Sequence, residues 1–273
     1  MATPDATKRR LPADWVFYLC LSLLGGTYLA LIVAMLAADL FFTTPGHIIE
    51  SLRDPNIRYA IKLSLISCTI TTILAMWVGV PMGYLLARTN FWGKALLDTL
   101  VDIPVVLPPL VIGLSLLILF QTAPGRFFEK HVFGVTFEVP SVILAQFAVA
   151  AAFAVRTMRV TFEQISPRTE QVALTLGCTR SQAFWRVLLP EARRGLLTAA
   201  TLAWARSLGE FGPILIFSGA TRLRTEVLPT TVFLELSIGK LEAAIAVSLL
   251  MIAVAVVVLI ITRTLGLRGG GLV

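Results

Sequence analysis

Long apolar runs recur along the whole chain, and this feature restricts the possible folds more than any other. A helix needs about 20 residues to cross the hydrocarbon core of a bilayer. Runs of that length lie at residues 15–41, 60–87, 99–120, 139–157, 196–217 and 242–262. A strand of a membrane barrel would instead show about 10 residues of alternating polarity. The sequence therefore predicts an all-α polytopic membrane protein with about six transmembrane helices.

The composition agrees with a membrane environment. Of the 273 residues, 57% are hydrophobic and 14% are charged, whereas a soluble domain carries roughly a quarter charged residues. The net charge is +7, but the lysines and arginines lie in short loops between apolar runs. Nucleic-acid binding would need them gathered on one soluble face. These observations exclude a water-soluble fold and a nucleic-acid partner, and they predict that the chain lies in a lipid bilayer.

The distribution of positive charge predicts the orientation. Fourteen of the 23 lysines and arginines lie in the N-terminal tail, the second loop, the fourth loop and the C-terminal tail, against eight in the other loops. Because positive charge favours the cytoplasmic side, both tails, at 1–14 and 263–273, are predicted to be cytoplasmic. The apolar region of a cleaved signal peptide is about 7 to 15 residues long. The first apolar run exceeds this length. Residues 15–41 are therefore predicted to be an uncleaved transmembrane helix.

The segment 156–195 is too polar to span a membrane and too long for an ordinary connection. A Ser-Pro pair at 166–167 predicts the start of a short helix that ends at Gly177. Thr179, with a glutamine three residues later, predicts a capping box that starts a second helix, which stops at Pro190. A helix-Gly-helix element is thus predicted on the cytoplasmic face.

The stretch EQVALTLGCTRSQAFWRVLLP, residues 170–190, resembles the cytoplasmic loop signature of binding-protein-dependent ABC permeases. The signature's alanine, glycine, leucine and proline match Ala173, Gly177, Leu189 and Pro190. Its glutamate falls on Gln171, with Glu170 beside it. The likeness covers about residues 60–262, the predicted permease core, which contains the loop 156–195.

This resemblance implies partners. In the family, the loop forms a coupling helix that docks on a separate cytoplasmic ABC ATPase subunit. The residues thereby implied in ATPase coupling are Glu170, Gln171, Ala173, Gly177, Arg180, Leu189 and Pro190. An extracytoplasmic solute-binding protein and a second permease copy, most simply in a homodimer, are also implied, and no cofactor. A basic loop lying on anionic lipid is the alternative, but it does not account for the helix-Gly-helix spacing.

Other strings in the sequence resemble one branch of that family. They are DIPVVLPPLVIG at 102–113, FAVR at 153–156, ARSLGEFGPILIFSG at 205–219 and TEVLP at 225–229. They are similar to permeases for molybdate, tungstate and sulfate. The resemblance implies import of a small oxyanion across a prokaryotic plasma membrane, with molybdate or tungstate ahead of sulfate. A permease of the same class for another small solute remains an alternative.

Proline and glycine interrupt several of the predicted spans. Such breaks free backbone groups that neighbouring helices or water must satisfy, and they mark a solute pathway or a moving helix. The predicted pathway or gate residues are Pro108, Pro109, Ser115, Arg206, Ser207, Gly209, Glu210, Phe211, Gly212 and Ser218. Ordinary kinking in a packed bundle is the alternative for the breaks, and helix packing is favoured over solute contact for the three serines.

Arg206 and Glu210 lie four residues apart in the predicted fifth span. They therefore share one face of a helix and can neutralise each other. A charge at membrane depth costs at least about 2.5 to 3.5 kcal/mol on insertion scales, so both side chains are expected to face protein or water. A gate beside a solute pathway and a purely structural ion pair are equally compatible with this spacing.

No constellation of catalytic residues is present. The two histidines, His47 and His131, lie in predicted outer loops, and the three cysteines lie in unlike compartments, so neither a metal site nor a disulfide framework is predicted. No phosphate-binding loop is present either, so the chain is predicted not to be an enzyme by itself, with ATP hydrolysis left to another subunit. An ion-coupled secondary carrier is a less favoured alternative, because Glu210 is the only carboxylate well inside a predicted span.

Overall fold

The computed structural model describes residues 14–43 and 45–268, and every regular element in that part of the chain is helical. The helices are α1 (Asp14–Phe42), α2 (Pro45–Arg53), α3 (Pro55–Arg88), α4 (Lys94–Val106), α5 (Pro109–Gln121), α6 (Ala123–His131), α7 (Val139–Gln164), α8 (Pro167–Thr175), α9 (Arg180–Ala183), α10 (Leu189–Glu191), α11 (Arg193–Leu208), α12 (Gly212–Phe217), α13 (Leu228–Ser237) and α14 (Leu241–Arg268), with a π-helical turn at Phe184–Leu188. The all-α prediction is confirmed for this part of the chain. Nearly all of the predicted N-terminal tail, and residues 269–273 of the predicted C-terminal tail, lie outside the described residues.

Helix α1 belongs to a compact unit of its own, residues 1–45. Its 29 residues agree with the predicted span at 15–41. Among the residues that the structure describes, none of its most apolar window is buried. A helix that is apolar on every side is suited to lipid or to another apolar partner.

The second unit, residues 46–273, contains the remaining helices. By length and apolar composition, four helices of the described chain can cross a membrane, namely α1, α3, α7 and α14. The predicted third span is not one straight helix, because α4 and α5 meet at 112°. The break falls before Pro108 and Pro109, whose rings remove backbone donors. The predicted fifth span is likewise divided, between α11 and α12.

Helices α3 and α7 form the centre of the second unit. They cross at Gly79 and Gly83 on α3 and at Ala154 and Met158 on α7. A Cβ atom at Gly83 would lie 2.7 Å from the Met158 Cβ and 2.8 Å from the Arg159 backbone nitrogen. This is the close backbone approach that small residues four apart allow between membrane helices.

A buried polar network joins three helices of this centre. The Thr71 hydroxyl on α3 donates to the Gln146 Oε1 on α7 at 3.1 Å, and the Gln146 Nε2 donates to the Ser207 carbonyl on α11 at 3.2 Å. Both side chains are fully buried. Because an unpaired amide in an apolar interior would cost free energy, these hydrogen bonds stabilise the register of the three helices.

The structure moves the boundaries of the predicted cytoplasmic loop. Helix α7 continues to Gln164 and α11 begins at Arg193, so the connection is shorter than the predicted 156–195. Arg156 and Arg159, which the sequence places in the loop, lie on α7. Their guanidinium groups pair with carboxylates of α4, and this pairing lets the helix continue beyond its apolar run.

At the opposite end of the second unit, two loops are held by carboxylates. Glu129 on α6 accepts hydrogen bonds from the Thr136 hydroxyl and backbone N–H, at 2.6 and 2.7 Å. These hydrogen bonds lower the pKa of Glu129. Glu138, at the start of α7, pairs with Arg224 in the loop before α13. Helix α13 itself was not predicted from the sequence.

Candidate coupling surface and pathway residues

The first helix of the connection, α8, has the predicted caps. The Ser166 hydroxyl accepts the Arg168 backbone N–H at 3.4 Å. At the other end, Gly177 has φ +87°, the Gly177 N–H bonds the Leu174 carbonyl, and the Cys178 N–H bonds the Ala173 carbonyl. This is a Schellman motif, in which glycine adopts the left-handed conformation without a Cβ penalty. The predicted helix-Gly-helix element is confirmed here.

The second helix begins as predicted and ends differently. The Thr179 hydroxyl accepts the Gln182 N–H, and the Gln182 side chain accepts the Thr179 N–H, so the capping box is present. The predicted stop at Pro190 is wrong, because Pro190 lies inside α10. A π-helical turn precedes it, in which the Leu189 N–H bonds the Phe184 carbonyl. The wider turn changes the carbonyl positions behind the proline ring and allows the helical path to continue.

Aromatic side chains pack the connection between α7 and α11 against α3 and α7. The Phe184 ring lies 4.9 Å from the Tyr84 ring, centroid to centroid, and the Tyr84 ring lies 5.8 Å from the Phe162 ring. Phe162 is fully buried. Edge-to-face pairs of this kind add stabilisation beyond the buried area, so α9 and the π-helical turn rest on a packed base formed by α3 and α7.

Glu170 connects α8 to α3. Its Oε1 accepts a hydrogen bond from the Tyr84 hydroxyl at 2.7 Å, and its Oε2 lies 4.0 Å from the Arg88 Nε. The Arg88 Nη2 also donates to the Ile165 carbonyl at 2.7 Å. The Glu170 side chain therefore links the connection to the end of a long helix, and its implied part in ATPase coupling stays a prediction.

The outer surface of the connection is partly apolar. Val172, Leu176 and Trp185 are 56%, 80% and 63% exposed. Of the predicted coupling residues, Gln171, Gly177, Arg180 and Pro190 are exposed, Leu189 and Glu170 are partly buried, and Ala173 is buried. The three exposed apolar residues were missed in the sequence, although apolar side chains within a polar segment were a signal for them. We call Val172, Leu176 and Trp185, with Gln171 and Arg180, the coupling surface.

Two of the predicted pathway residues, Pro109 and Gly212, come together where the two broken spans meet. A Cβ atom at Gly212, the first residue of α12, would lie 3.1 Å from the Pro109 Cβ and from the Leu110 nitrogen on α5. One turn further along α5, a Cβ atom at Gly113 would lie 2.7 Å from the Pro213 Cα. The two helices that follow the breaks therefore pack backbone against backbone, with Pro108 immediately before α5.

Arg206 and Glu210 form the predicted ion pair. The Arg206 Nη1 lies 2.9 Å from the Glu210 Oε2, without hydrogen-bond geometry. The Glu210 side chain is 2% exposed and the Arg206 side chain 33% exposed. The Arg206 guanidinium also lies 5.8 Å from the centre of the Phe153 ring. The pair thus reaches from the interior of the bundle to its edge.

The three predicted serines have different surroundings. The Ser207 hydroxyl is buried and donates to the Ala203 carbonyl at 2.8 Å within its own helix, which agrees with a packing role. Ser218 is buried just after α12, and no partner of its hydroxyl is found in the described part of the chain. Ser115 is exposed on α5. Beside them, Phe211 is partly buried and its ring lies 5.4 Å from the Phe233 ring.

Sequence comparison defines the class of protein. The family model of the binding-protein-dependent transport system inner membrane component matches residues 79–268. The chain therefore belongs to this family of ABC transporter permeases, and it is a multi-pass membrane permease.

Individual relatives are more specific. The chain is 34% identical to the sulfate transport system permease protein CysT of Escherichia coli (strain K12), over 81% of this chain and 80% of the relative. It is 34% identical to the molybdate/tungstate permease WtpB of Thermococcus kodakarensis, over 74% and 78%. It is 35% identical to the molybdenum permease ModB of Mycobacterium bovis, over 72% and 75%.

Solved structures share the fold at low sequence identity. A chain of a bacterial alginate ABC transporter, in complex with an alginate pentasaccharide-bound periplasmic protein, superposes with a TM-score of 0.77 at 16% identity, over 95% of this chain and 96% of that chain. A chain of the MetNI methionine ABC transporter in an inward-facing conformation superposes with a TM-score of 0.65 at 17% identity, over 78% and 95%. These likenesses support the permease fold.

Proposed function

We propose that this permease imports a small oxyanion, molybdate or tungstate first and sulfate next, with energy from a separate ABC ATPase. The observation that carries the ATP-driven part is the coupling surface, which exposes apolar side chains on a rigid base tied to α3 by Glu170. The relatives named for sulfate, molybdate and tungstate support the solute class. A permease of the same class for another small solute is the alternative.

The ATPase docks on the coupling surface. Leu176 and Trp185 supply apolar area that a partner can bury, and aromatic side chains of this kind are enriched at interfaces. Arg180, which is exposed, can meet acidic groups of that partner. Gly177 shapes the surface by reversing the chain between α8 and α9.

The assembly follows from the predicted topology. Six spans, with α4–α5 and α11–α12 as broken ones, place both termini and the coupling surface in the cytoplasm of a prokaryotic cell. The loaded binding protein then docks on the opposite face, around α6 and α13. Two copies of the chain, most simply a homodimer, enclose the pathway between them.

Cysteine labelling tests this topology. With Cys20 and Cys178 replaced by serine, Ser181→Cys beside Arg180 is expected to react with a membrane-impermeant maleimide only after the cytoplasmic side is opened. Arg126→Cys on α6 is expected to react in intact cells. The charge asymmetry of the loops is the reason for both expectations. The reverse labelling pattern would contradict the orientation and the docking of the ATPase together.

Uptake into proteoliposomes tests the function. The permease is reconstituted with its ATPase, and the binding protein loaded with radiolabelled molybdate or sulfate is added on the outer side. Uptake is expected to require ATP and to persist when an uncoupler collapses the proton gradient. Uptake that needs the proton gradient and no ATP would instead identify a secondary carrier. ATP-dependent uptake of an unrelated solute, without uptake of oxyanions, would support the ABC importer class and reject the oxyanion as its substrate.

Glu210→Gln separates a gate from a structural ion pair. The substitution keeps the side-chain size and removes the charge that Arg206 approaches at 2.9 Å. We expect the complex to assemble and the rate of oxyanion uptake to fall by about tenfold, which corresponds to about 1.4 kcal/mol in the rate-limiting step. Glu242→Gln, at the exposed start of α14, is the control for the loss of one carboxylate charge. Normal uptake by the Glu210 variant would leave the pair with a structural role only.

A further inference from the structure

A cavity of about 1060 Å³ opens between the second half of α7 and the start of α11. Its walls include Phe153, Arg156, Arg159, Thr161, Arg194 and Thr198. This end of α7 and α11 adjoins the coupling surface, so on the proposed topology it faces the cytoplasm. Three guanidinium groups and three threonines around one opening supply the donors that bind tetrahedral oxyanions.

Two of these arginines are already paired with carboxylates of α4. The Arg156 Nε lies 2.8 Å from the Asp102 Oδ1. Arg159 pairs with Asp98 and also, at 2.8 Å, with Glu163 on its own helix. The Arg194 side chain pairs with no carboxylate in the described part of the chain. Among the described residues, the cavity thus contains one guanidinium without a carboxylate partner, that of Arg194, and two that are paired with carboxylates of α4.

We propose that this cavity is the exit site for the oxyanion, where Arg194 and Arg156 bind it on its way to the cytoplasm. The proposal rests on the proposed oxyanion import and adds the residues of its last step. The anion and the Asp102 carboxylate compete for the same guanidinium of Arg156. Occupation of the site therefore loosens the attachment of α4 to α7, and release restores it.

The local charge suits a site that must release its ligand. The lining itself holds three arginines and two carboxylates, Glu163 and Glu191, while Asp98 and Asp102 outside the lining pair with Arg159 and Arg156. A divalent anion is therefore held weakly, as conduction through a pathway requires. Phe153 connects this site to the gate, because its ring lines the cavity and also lies beneath the Arg206 guanidinium.

A cysteine at Thr198 reports on the site without any transport assay. Thr198 is exposed in the cavity, and cysteine is similar in size. Thr198→Cys is made with Cys20 and Cys178 replaced by serine and with the buried Cys68 kept. The permease–ATPase complex is placed in neutral-lipid nanodiscs, where both faces are accessible. Labelling rates are measured with an anionic and a cationic methanethiosulfonate of similar size.

The anionic reagent is expected to react about fivefold faster than the cationic one, because nearby guanidinium groups attract it. Tungstate or sulfate at millimolar concentration is expected to slow the reaction, and chloride at equal ionic strength is not. Arg194→Gln is expected to remove both the preference and the protection. Arg193→Gln, a neighbouring arginine outside the cavity lining, is the matched control and is expected to keep both.

Equal reaction of the two reagents, with no protection by oxyanions, would overturn the exit site even if ATP-driven uptake is normal. In a second set of nanodiscs that contain phosphatidylglycerol, labelling that changes with the fraction of this lipid and ignores tungstate and sulfate would assign the cavity to a lipid headgroup. That result would also overturn the exit site. Failed import with intact protection would instead count against the proposed import while the anion site stands. The two proposals therefore fail separately.

Discussion

A permease in which valine replaces Gly177 is expected to insert normally in the membrane and to lose ATP-driven uptake by about tenfold or more. Gly177 has φ +87°, and in the described part of the chain no atom beyond its two neighbours lies within 4 Å of an added Cβ, so the backbone conformation and not the space is limiting. The left-handed region costs a residue with a side chain roughly 1 to 2 kcal/mol, and a β-branched residue more. The Schellman motif would open, and the coupling surface on both sides of it would separate.

Two measurements check this expectation. Retention of the ATPase during purification reports on docking, and solute uptake reports on coupling. Gly177→Asn is the matched control, because asparagine tolerates the left-handed conformation, and it is expected to keep most of both activities. A valine variant that keeps its ATPase and transports normally would remove the docking role of this connection.

Leucine in place of Gly83 is expected to have a larger effect on the folded chain itself. The new side chain would begin 2.7 Å from the Met158 Cβ and 2.8 Å from the Arg159 backbone nitrogen. The backbone of α7 cannot rotate away as a side chain could, so α3 and α7 must separate. We expect a loss of at least about 3 kcal/mol of stability, at the upper end of the overpacking range.

The yield of monodisperse permease after detergent extraction, and its Tm, measure this loss. Gly26→Leu on α1 serves as the control, because, apart from its chain neighbours and the nearby helix backbone, no atom of the described residues lies within 4 Å of its added Cβ. The control is expected to give normal yield. If the two variants are equally well folded, the crossing at Gly83 does not hold the bundle together.

Features that depend on a few neighbouring residues could be predicted from the sequence. The caps at Ser166 and Thr179 and the glycine turn at Gly177 satisfy backbone groups within three or four residues, so their chemistry is readable locally. The lengths of the apolar runs predicted α1, α3, α7 and α14. This information is also local, because the composition of a helix by itself makes it suited to lipid.

Features that depend on tertiary contacts could not be predicted. The tie between Glu170 and Tyr84 joins residues 86 positions apart, and only the fold brings them together. The continuation of helix through Pro190 depends on the π-helical turn, which no local residue pattern specified. The 112° bend before α5 was indicated by Pro108 and Pro109, but its angle arises from the packing of α5 on α12.

Through the hydrogen bond between Tyr84 and Glu170, α3 connects two distant parts of the chain. Near the C-terminal end of α3, the Tyr84 hydroxyl bonds Glu170 on α8, the helix that carries part of the coupling surface. Twenty residues earlier, about 30 Å along the helix axis, the Ser64 hydroxyl accepts the Leu228 backbone N–H at the start of α13. On the proposed ATP-driven import, a displacement at the coupling surface would therefore be carried by α3 itself to the start of α13. That path does not pass through either of the broken helix pairs, α4–α5 and α11–α12.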